Sequence, residues 1–186
     1  MNALDALLQR VSVSKLTEPA PTQPQREAIF SAALRAADHG RLRPWRFLLI
    51  EGQARDELGA LYAAAGLEDD PAVSADTLER YRQMPLRAPL IVVVIASCVE
   101  HPKVPEIEQI ISAGAAAQNM ITAAYALGLG AIWRTGEFAY HPSVARGLGL
   151  AQHEKIVGYL YFGTPASAMG KALALDSSEF FSRWPC

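Results

Sequence analysis

The segment PEIEQIISAGAAAQNMITAAYALGLGAIWRTG, residues 105–136, contains the longest helix and one of the strands that we predict for this chain. Pro105 suits the first turn of a helix and Gly128 suits its end, so the pattern predicts a helix over residues 105–127. From residue 114 onward this helix is apolar almost all round, which predicts that it lies buried through the middle of the molecule. A strand is predicted directly after it, at residues 131–134.

The elements on either side of this segment complete an α+β pattern. Residues 89–98 form a run that is apolar on both faces, as expected for the central strand of a sheet. Further strands are predicted at residues 46–51 and 156–162. Helices are predicted at residues 2–10, 22–40, 53–65, 72–84 and 143–148. We expect one domain, residues 1–186, with a central mixed or antiparallel sheet, flanking helices and a long core helix.

The C-terminal tail, residues 164–186, has little periodicity but contains Phe180, Phe181 and Trp184. A structureless tail with three large aromatic side chains usually docks on another surface, and we expect it to dock on a partner subunit. The mean hydropathy of +0.09 fits a chain whose apolar surface is partly covered by such a partner.

The composition excludes several classes of protein. The net charge is −2 over 186 residues, so no footprint for nucleic acid or anionic lipid is expected. The apolar run at residues 89–98 is too short to span a bilayer, and the N-terminus lacks a secretory pattern. Two cysteines, Cys98 and Cys186, predict no disulfide framework and a cytoplasmic location. Three clustered basic residues need a local explanation: Arg41, Arg43 and Arg46.

The sequence also lacks the common catalytic and nucleotide-binding motifs. The four histidines are not at metal-ligand spacing, so no metal site is expected. There is no Gly-x-Ser-x-Gly motif, and Trp133 and Gln152 occupy the third glycine position after the two glycine pairs. If the chain is an enzyme, its chemistry is expected to come from a bound cofactor.

Four stretches between residues 1 and 165 together resemble the nitroreductase family, in particular its small YdjA-like branch of NAD(P)H nitroreductases. They occur in the order and at the spacing of that family. They are RVSVSK at 10–15, RAADH at 35–39 with RPWRF at 43–47, SAGAAAQNM at 112–120 through ALGLG at 126–130, and IWRTG at 132–136 with GYLYFGTP at 158–165.

The resemblance implies an FMN site in a groove between the two subunits of a homodimer. By position, Arg10, Val11 and Ser12 correspond to the loop that holds the phosphate and ribityl end of FMN. A guanidinium and a hydroxyl group suit a dianionic phosphate. Residues that correspond to positions reaching the flavin from the other subunit are Arg35 and His39. Residues at the end of the strand that contacts the flavin ring are Trp133, Arg134 and Thr135.

Each of these residues also has a simpler structural interpretation. Arg10 could complement the C-terminal end of the first helix, and His39 could do the same for a later helix. Arg134 could form a salt bridge. The resemblance also assigns nicotinamide-dinucleotide binding to a stretch that otherwise reads as a buried helix end: Ala123, Ala124, Tyr125, Ala126, Leu127 and Gly128.

The implied function is an FMN-dependent oxidoreductase that takes electrons from NADH or NADPH and reduces a small aromatic acceptor of the nitroaromatic or quinone type. The residues indicate no catalytic side chain, and no cation for the 2′-phosphate of NADPH can be placed from the sequence. Two departures from the family pattern bear on flavin contacts: Val11 replaces a second arginine, and Ser14 replaces a lysine found in larger relatives. The alternatives are a flavin enzyme with a narrow physiological substrate and a flavin-binding dimer without turnover.

Overall fold

The computed structural model describes residues 1–185, so Cys186 lies outside the described part of the chain. Its sheet has five strands: β1 (Leu16–Thr17), β2 (Trp45–Glu51), β3 (Leu90–Ser97), β4 (Gly130–Arg134) and β5 (Glu154–Pro165). Every strand pairing is antiparallel. β3 lies between β2 and β5, β4 pairs with β5, and β1 pairs with the last two residues of β5. This confirms the predicted α+β class and identifies the sheet as antiparallel.

Helices cover both faces of this sheet. They are α1 (Ala3–Gln9), α2 (Gln23–Ala33), α3 (Ala54–Asp69), α4 (Ala75–Gln83), α5 (Glu106–Ala126) and α6 (Pro142–Gly147). Successive side chains of a strand point to opposite faces, and β3 is fully buried on both. Val92 and Val94 pack with α2 and α5, whereas Ile91, Val93 and Ile95 pack with α3 and α6. The two-sided burial of this central strand is as predicted.

The long helix α5 is buried in the core along most of its length, but its first turns are buried on one side only within the single chain. Ala113, Ala117 and Met120 on its inner side are fully buried in the core. On the outer side Ile107 is 59% exposed and Ile111 is 62% exposed. Of residues 114–125 only Gln118 is exposed, so the predicted buried core helix is confirmed there, whereas the first turns of α5 leave an apolar face open.

Two further predictions are corrected near the N-terminus. Helix α2 ends at Ala33 instead of continuing to residue 40, because the chain turns after its C-cap residue Leu34. A separate 3-10 helix follows at His39–Arg41, in which Gly40 has a φ of 73°. Residues 11–21, where the sequence predicts neither helix nor strand, contain β1, whose two residues pair with the end of β5. A pairing this short depends on its partner strand and leaves no periodic pattern in the sequence.

The C-terminal residues 171–185 are exposed throughout. Trp184 is 93% exposed and Phe181 79% exposed, so neither packs into the core of its own chain. Docking of the tail on a partner subunit stays a prediction. Within residues 1–185, no helix is both long and apolar enough to cross a membrane, and no cluster of histidine, cysteine and acidic residues could hold a metal ion.

Candidate functional site

The loop after α1 brings Arg10 to the start of β4. The amide of Val13 donates a hydrogen bond of 2.9 Å to the carbonyl of Ala131, which ties the loop 10–12 to that strand. Arg10 is the C-cap residue of α1, and its Nη1 is buried with no hydrogen-bond partner among the described residues. If Arg10 only complemented the end of α1, this nitrogen would be paired with a helix carbonyl. A buried donor without a partner instead indicates a missing acceptor.

Trp133, towards the other end of β4, is partly buried against the core. Its indole packs with the cluster between the sheet and α5, and Nε1 donates to the carbonyl of Val157 at 3.3 Å. Gly158 permits this packing, because a Cβ atom there would lie 2.1 Å from Nε1 of Trp133. The indole ring is therefore a structural wall, and a ligand at this strand end would meet mainly the backbone of Trp133.

Arg134 points to the opposite face of the sheet, into an aromatic pocket of about 350 Å³. Its Cζ lies 5.9 Å from the centre of the Tyr161 ring, and its Nε is buried without a hydrogen-bond partner in residues 1–185. The salt bridge considered from the sequence is absent from the described part of the chain. Arg134, like Arg10, therefore has a buried N–H donor without an acceptor among the described residues.

The walls of this pocket are aromatic. The rings of Tyr62 and Phe138 stack at 4.4 Å, and Tyr159 donates a hydrogen bond to the carbonyl of Phe138. Burial raises the pKa of Tyr161 to about 12, and the nearby charges of Arg134 and Arg87 oppose that rise. The phenol therefore stays protonated near neutral pH. Neither Tyr62 nor Arg87 belongs to a sequence motif, and Tyr161 lies in the motif 158–165 without having been assigned to the site. Sequence reasoning therefore missed all three.

Arg35 and His39 lie elsewhere, beyond the end of α2. Nδ1 of His39 is 2.5 Å from Oε2 of Glu108 in the first turn of α5. His39 therefore does not cap α2. Arg35 is exposed and lines a second pocket of about 660 Å³ with Asp38 and Trp45. This pocket shares no lining residue with the pocket around Arg134.

The predicted FMN residues thus form two separate groups on one chain. The first group, at residues 10–12 and 133–135, follows β4 along one edge of the sheet, and Ser12 and Thr135 are exposed there. His39 of the second group contacts Glu108, near the N-terminal end of α5. The loop 10–12 of the first group is instead tied to Ala131, just after the C-terminal end of that helix. From Glu108 to Ala126 the axis of α5 runs about 27 Å at 1.5 Å per residue, but β4 runs back along the helix and brings Trp133 close to Gly114. Within one chain Arg134 and Thr135 line one pocket and Arg35 lines another.

The stretch 123–128 forms the C-terminal end of α5, and its carbonyls are largely used in the cap. Leu127 donates to the carbonyls of Ala123 and Ala124, and Leu129 also donates to Ala124. Gly128 has a φ of 77°, the left-handed conformation that ends many helices. A helix C-terminus presents carbonyl oxygens and partial negative charge, so it offers little to a phosphate. Only Ala126, Leu127 and Gly128 are exposed to a ligand.

Polar residues in the neighbourhood have structural partners. Arg46 forms a bidentate pair with Glu154, with distances of 2.5 and 2.6 Å. Asn119 donates to the carbonyl of Ala32 across the contact of α5 with α2. Cys98 is buried, and burial raises the pKa of its thiol, so it is an inert core residue. These contacts leave Arg41 and Arg43 as the unexplained members of the basic cluster.

The comparison with protein families matches residues 7–164 to the model of the nitroreductase family. YdjA of Escherichia coli K12, named for a proposed NAD(P)H nitroreductase activity, is 45% identical over 168 residues, which are 89% of each chain. A Haemophilus influenzae protein named for the same proposed activity is 33% identical over 182 residues, covering 97% of this chain and 98% of the relative.

Solved structures of similar fold span the whole chain. A nitroreductase-like protein of Bacillus cereus superposes with a TM-score of 0.83 at 24% identity and covers 100% of this chain and 97% of its own. A proposed nitroreductase of Desulfovibrio desulfuricans, solved in complex with FMN, gives a TM-score of 0.75 at 25% identity and covers 100% and 98%.

Proposed function

Since the chain belongs to the nitroreductase family, an oxidoreductase family, we propose that it is an FMN-dependent NAD(P)H oxidoreductase that reduces nitroaromatic or quinone-type acceptors. The observation that carries the proposal is the pair of buried guanidinium nitrogens without partners, Arg10 Nη1 and Arg134 Nε. Both flank β4, the strand along which the family resemblance places FMN. A fold that buries two unpaired donors of cationic groups needs an acceptor, and an anionic cofactor supplies one.

The residues present fit FMN at this edge. Arg10 and Ser12 would hold the phosphate at the start of β4, and the backbone of residues 133–135 would contact the ring. From Ala131 to Thr135 the strand runs about 13 Å at 3.3 Å per residue, a length comparable with that of FMN. When bound, FMN supplies the redox chemistry, taking electrons from NAD(P)H and delivering them to the acceptor.

The chain's own contribution is orientation and the exclusion of water. Arg10 fixes one end of the ligand by charge, and the rigid strand β4, held by Trp133 in the core, fixes the other. The aromatic pocket beside Arg134 offers flat apolar walls to a planar acceptor. We assign no catalytic residue, and the protons of the reduced product come from solvent.

The proposal includes a homodimer, with Arg35 and His39 of one subunit completing the flavin site of the other. The chain exposes 11089 Å². A globular monomer of 20.1 kDa is expected to expose only about 8,700 Å². The excess, about 2,400 Å², is of the size that one subunit buries in an obligate dimer.

Two apolar surfaces are available for this dimer. Leu4, Leu7 and Leu8 of α1 are mostly exposed, and so is the outer face of α5 with Ile107 and Ile111. A contact across α5 would relate the two subunits by two-fold symmetry and carry Arg35 and His39 of one subunit towards the β4 edge of the other. The aromatic tail would extend the same interface.

The proposal has three further parts, which concern the path of the nucleotide, the number of domains and the cellular location. NADH or NADPH would reach the flavin past residues 123–128, by way of the exposed Ala126, Leu127 and Gly128. The polypeptide 1–186 would act as one domain, because a single continuous sheet links its halves. It would work in the cytoplasm, where reduced nicotinamide nucleotides are available.

An absorbance spectrum of the purified protein tests the proposal, followed by anaerobic titration with NADH and with NADPH. We expect flavin bands that bleach on addition of a nucleotide and return on addition of a quinone or a nitroaromatic compound. A protein that stays colourless and fails to bind added FMN contradicts the proposal. A protein that binds FMN but is not reduced by either nucleotide is a flavin-binding dimer without turnover.

A further inference from the structure

Three arginines line the pocket beyond the end of α2, and only one of them, Arg35, is assigned to the flavin site. Arg35, Arg41 and Arg43 line a cavity of about 660 Å³, and Trp45 and Leu34 form an apolar wall. Arg46, their neighbour in sequence, is paired with Glu154 and plays no part in this cavity.

The backbone of Arg41 and Arg43 is held in an unfavourable conformation. Their φ angles are 58° and 50°, in the left-handed region that residues other than glycine seldom adopt. Oδ2 of Asp38 accepts the amide of Arg43 at 2.7 Å, and the amide of Trp45 donates to the carbonyl of Arg43 at 2.7 Å. These bonds fix a strained loop that aims two arginines into one pocket, and such strain commonly accompanies ligand sites.

The guanidinium groups of this pocket are not neutralised by the protein. Among residues 1–185, Arg35, Arg41 and Arg43 form no ion pair. Asp38 is the one carboxylate that lines the pocket, and nearby Glu108 is engaged with His39. Three cations against one anion leave a net positive pocket, which suits a dianionic ligand.

We propose that this arginine pocket binds the adenosine 2′-phosphate end of NADPH and makes NADPH the preferred electron donor. A phosphate monoester is a dianion that guanidinium groups bind bidentately, and a flat indole beside them suits an adenine ring. Arg35 lines this pocket at one side, and with His39 it is a residue that the proposed dimer places at the flavin of the other subunit. An extended dinucleotide can therefore have its nicotinamide at that flavin and its adenosine here. This inference rests on the proposed function for the identity of the nucleotide.

The kinetic test replaces Arg41 and Arg43 together by asparagine, which removes both charges and tolerates left-handed backbone. We expect kcat/KM for NADPH to fall about ten- to a hundredfold, the effect of losing one or two charge-assisted contacts, while kcat/KM for NADH changes less than about twofold. The matched control is Arg80→Asn with Arg82→Asn on the exposed side of α4, which makes the same charge change and should leave both values unaltered. A wild-type enzyme whose kcat/KM for NADH equals or exceeds its kcat/KM for NADPH overturns the inference.

A binding test separates this inference from the proposed function, because it needs no flavin and no turnover. Calorimetry compares adenosine 2′,5′-bisphosphate, 5′-AMP and inorganic phosphate on the full-length protein and on the Arg41→Asn, Arg43→Asn variant. We expect the bisphosphate to bind at least about tenfold more tightly than the other two to the wild type alone. Equal affinity for all three probes, or an advantage that survives in the variant, rejects the arginine pocket even if the protein proves to be a flavin reductase. If the bisphosphate binds preferentially to a protein that does not bind flavin, the arginine pocket is supported and the proposed function is rejected.

Discussion

At the scale of single residues, buried cationic atoms without partners locate the candidate site more sharply than the shape of the surface does. Arg10 and Arg134 each keep one guanidinium nitrogen buried and unpaired in the described chain. An unmet buried donor costs about 1–3 kcal/mol, so a fold that retains two of them beside one strand indicates a ligand that removes the cost.

The role of Arg10 can be tested with two forms of the same flavin. In the Arg10→Ala variant we expect the Kd for FMN to rise about ten- to a hundredfold, because one charge-assisted contact with the phosphate is lost. Riboflavin has the same ring and no phosphate, so its Kd should stay within about twofold of the wild-type value. Fluorescence quenching measures both. A parallel loss of affinity for FMN and riboflavin would mean that Arg10 supports the ring or the fold rather than the phosphate.

A second prediction concerns the glycine beneath Trp133. In Gly158→Ala the new Cβ would meet Trp133 Nε1 at 2.1 Å and the carbonyl of Arg134 at 3.0 Å. We expect the free energy of unfolding to fall by about 1–3 kcal/mol, as in other overpacked cores, and FMN binding to weaken because β4 shifts.

Gly114 provides the matched control, since it approaches the other side of the same indole. A Cβ at Gly114 would lie 3.7 Å from Cη2 of Trp133, an ordinary contact, and the residue is inside α5. Gly114→Ala should therefore be neutral or stabilise by up to about 1 kcal/mol through helix propensity. Urea denaturation of the two variants decides the matter: equal destabilisation would show that the close approach at Gly158 is unimportant.

At the scale of elements, an ion pair bridges two strands that are not neighbours. Arg46 of β2 and Glu154 of β5 meet at one end of β3, which separates the two strands. The Glu154 side chain is 7% exposed, and the amide of Ala151 also donates to it. The hydrogen bonds from Arg46, followed by that from Ala151, outweigh burial and lower the pKa of Glu154 to about 2 from its ordinary 4.5.

This depressed pKa predicts a dependence of stability on pH. Ionised Glu154 contributes its full stabilisation above pH 4.5, and the contribution is lost as the pH falls through the folded-state value of about 2. Glu154→Gln should lower the free energy of unfolding by about 1–2 kcal/mol at pH 7, since solvent screens the half-exposed Arg46. The difference between wild type and variant should shrink as the pH is lowered below 4.5.

The exposed pair Arg26–Glu51 serves as the comparison for that measurement. Its hydrogen bonds also lower the pKa of Glu51, but the Glu51 side chain is 46% exposed. Glu51→Gln should therefore change the free energy of unfolding by less than about 1 kcal/mol. Urea unfolding between pH 3 and pH 7 follows both variants. An effect of Glu154→Gln that does not vary with pH would contradict the ionic role.

At the scale of the whole molecule, the isolated chain leaves apolar faces open on α1 and α5 and exposes more area than a monomer of its mass is expected to. Both features support the proposed homodimer, in which a second copy would cover these faces. The proposed dimer would also bring together the two groups of predicted flavin residues, which lie apart in a single chain. Dimerisation and the assembly of the site are thus one event in the proposed function.

The aromatic tail gives a test of this assembly. Phe180, Phe181 and Trp184 are exposed in the single chain, so their replacement by serine should leave its own core intact. The same replacement would remove the apolar contacts that we expect the tail to make with the partner subunit. We expect a wild-type dimer of twice 20.1 kDa by sedimentation and a variant that dissociates at least tenfold more readily, equal to about 1.4 kcal/mol. Leu67→Ser, at an exposed position of α3 outside the proposed interface, should leave the mass unchanged. A wild-type monomer, or a variant as tightly associated as the wild type, would show that the tail has no such role.

The sequence by itself determined the elements whose signals are local. The two-sided apolar run of β3, the α5 helix from Pro105 to Gly128 and the strand before Arg134 all follow from residue periodicity and end signals, and the structure confirms them. The motif order was sufficient to indicate the nitroreductase family. Helix α2 was predicted too long because its C-cap residue, Leu34, is not a residue type that signals a helix end, so Gly40 was taken as the end instead.

Only the tertiary structure decided which side chains share a site. Adjacent residues Trp133 and Arg134 point to opposite faces of the sheet, one into the core and one into a pocket completed by Arg87 and Tyr161 from distant segments. The convergence of Arg35, Arg41 and Arg43 on one cavity likewise depends on left-handed backbone fixed by the hydrogen bonds of Asp38 and Trp45 with Arg43. Local sequence encodes propensity and periodicity, whereas the facing of side chains across a sheet depends on strand pairing between residues far apart in the chain.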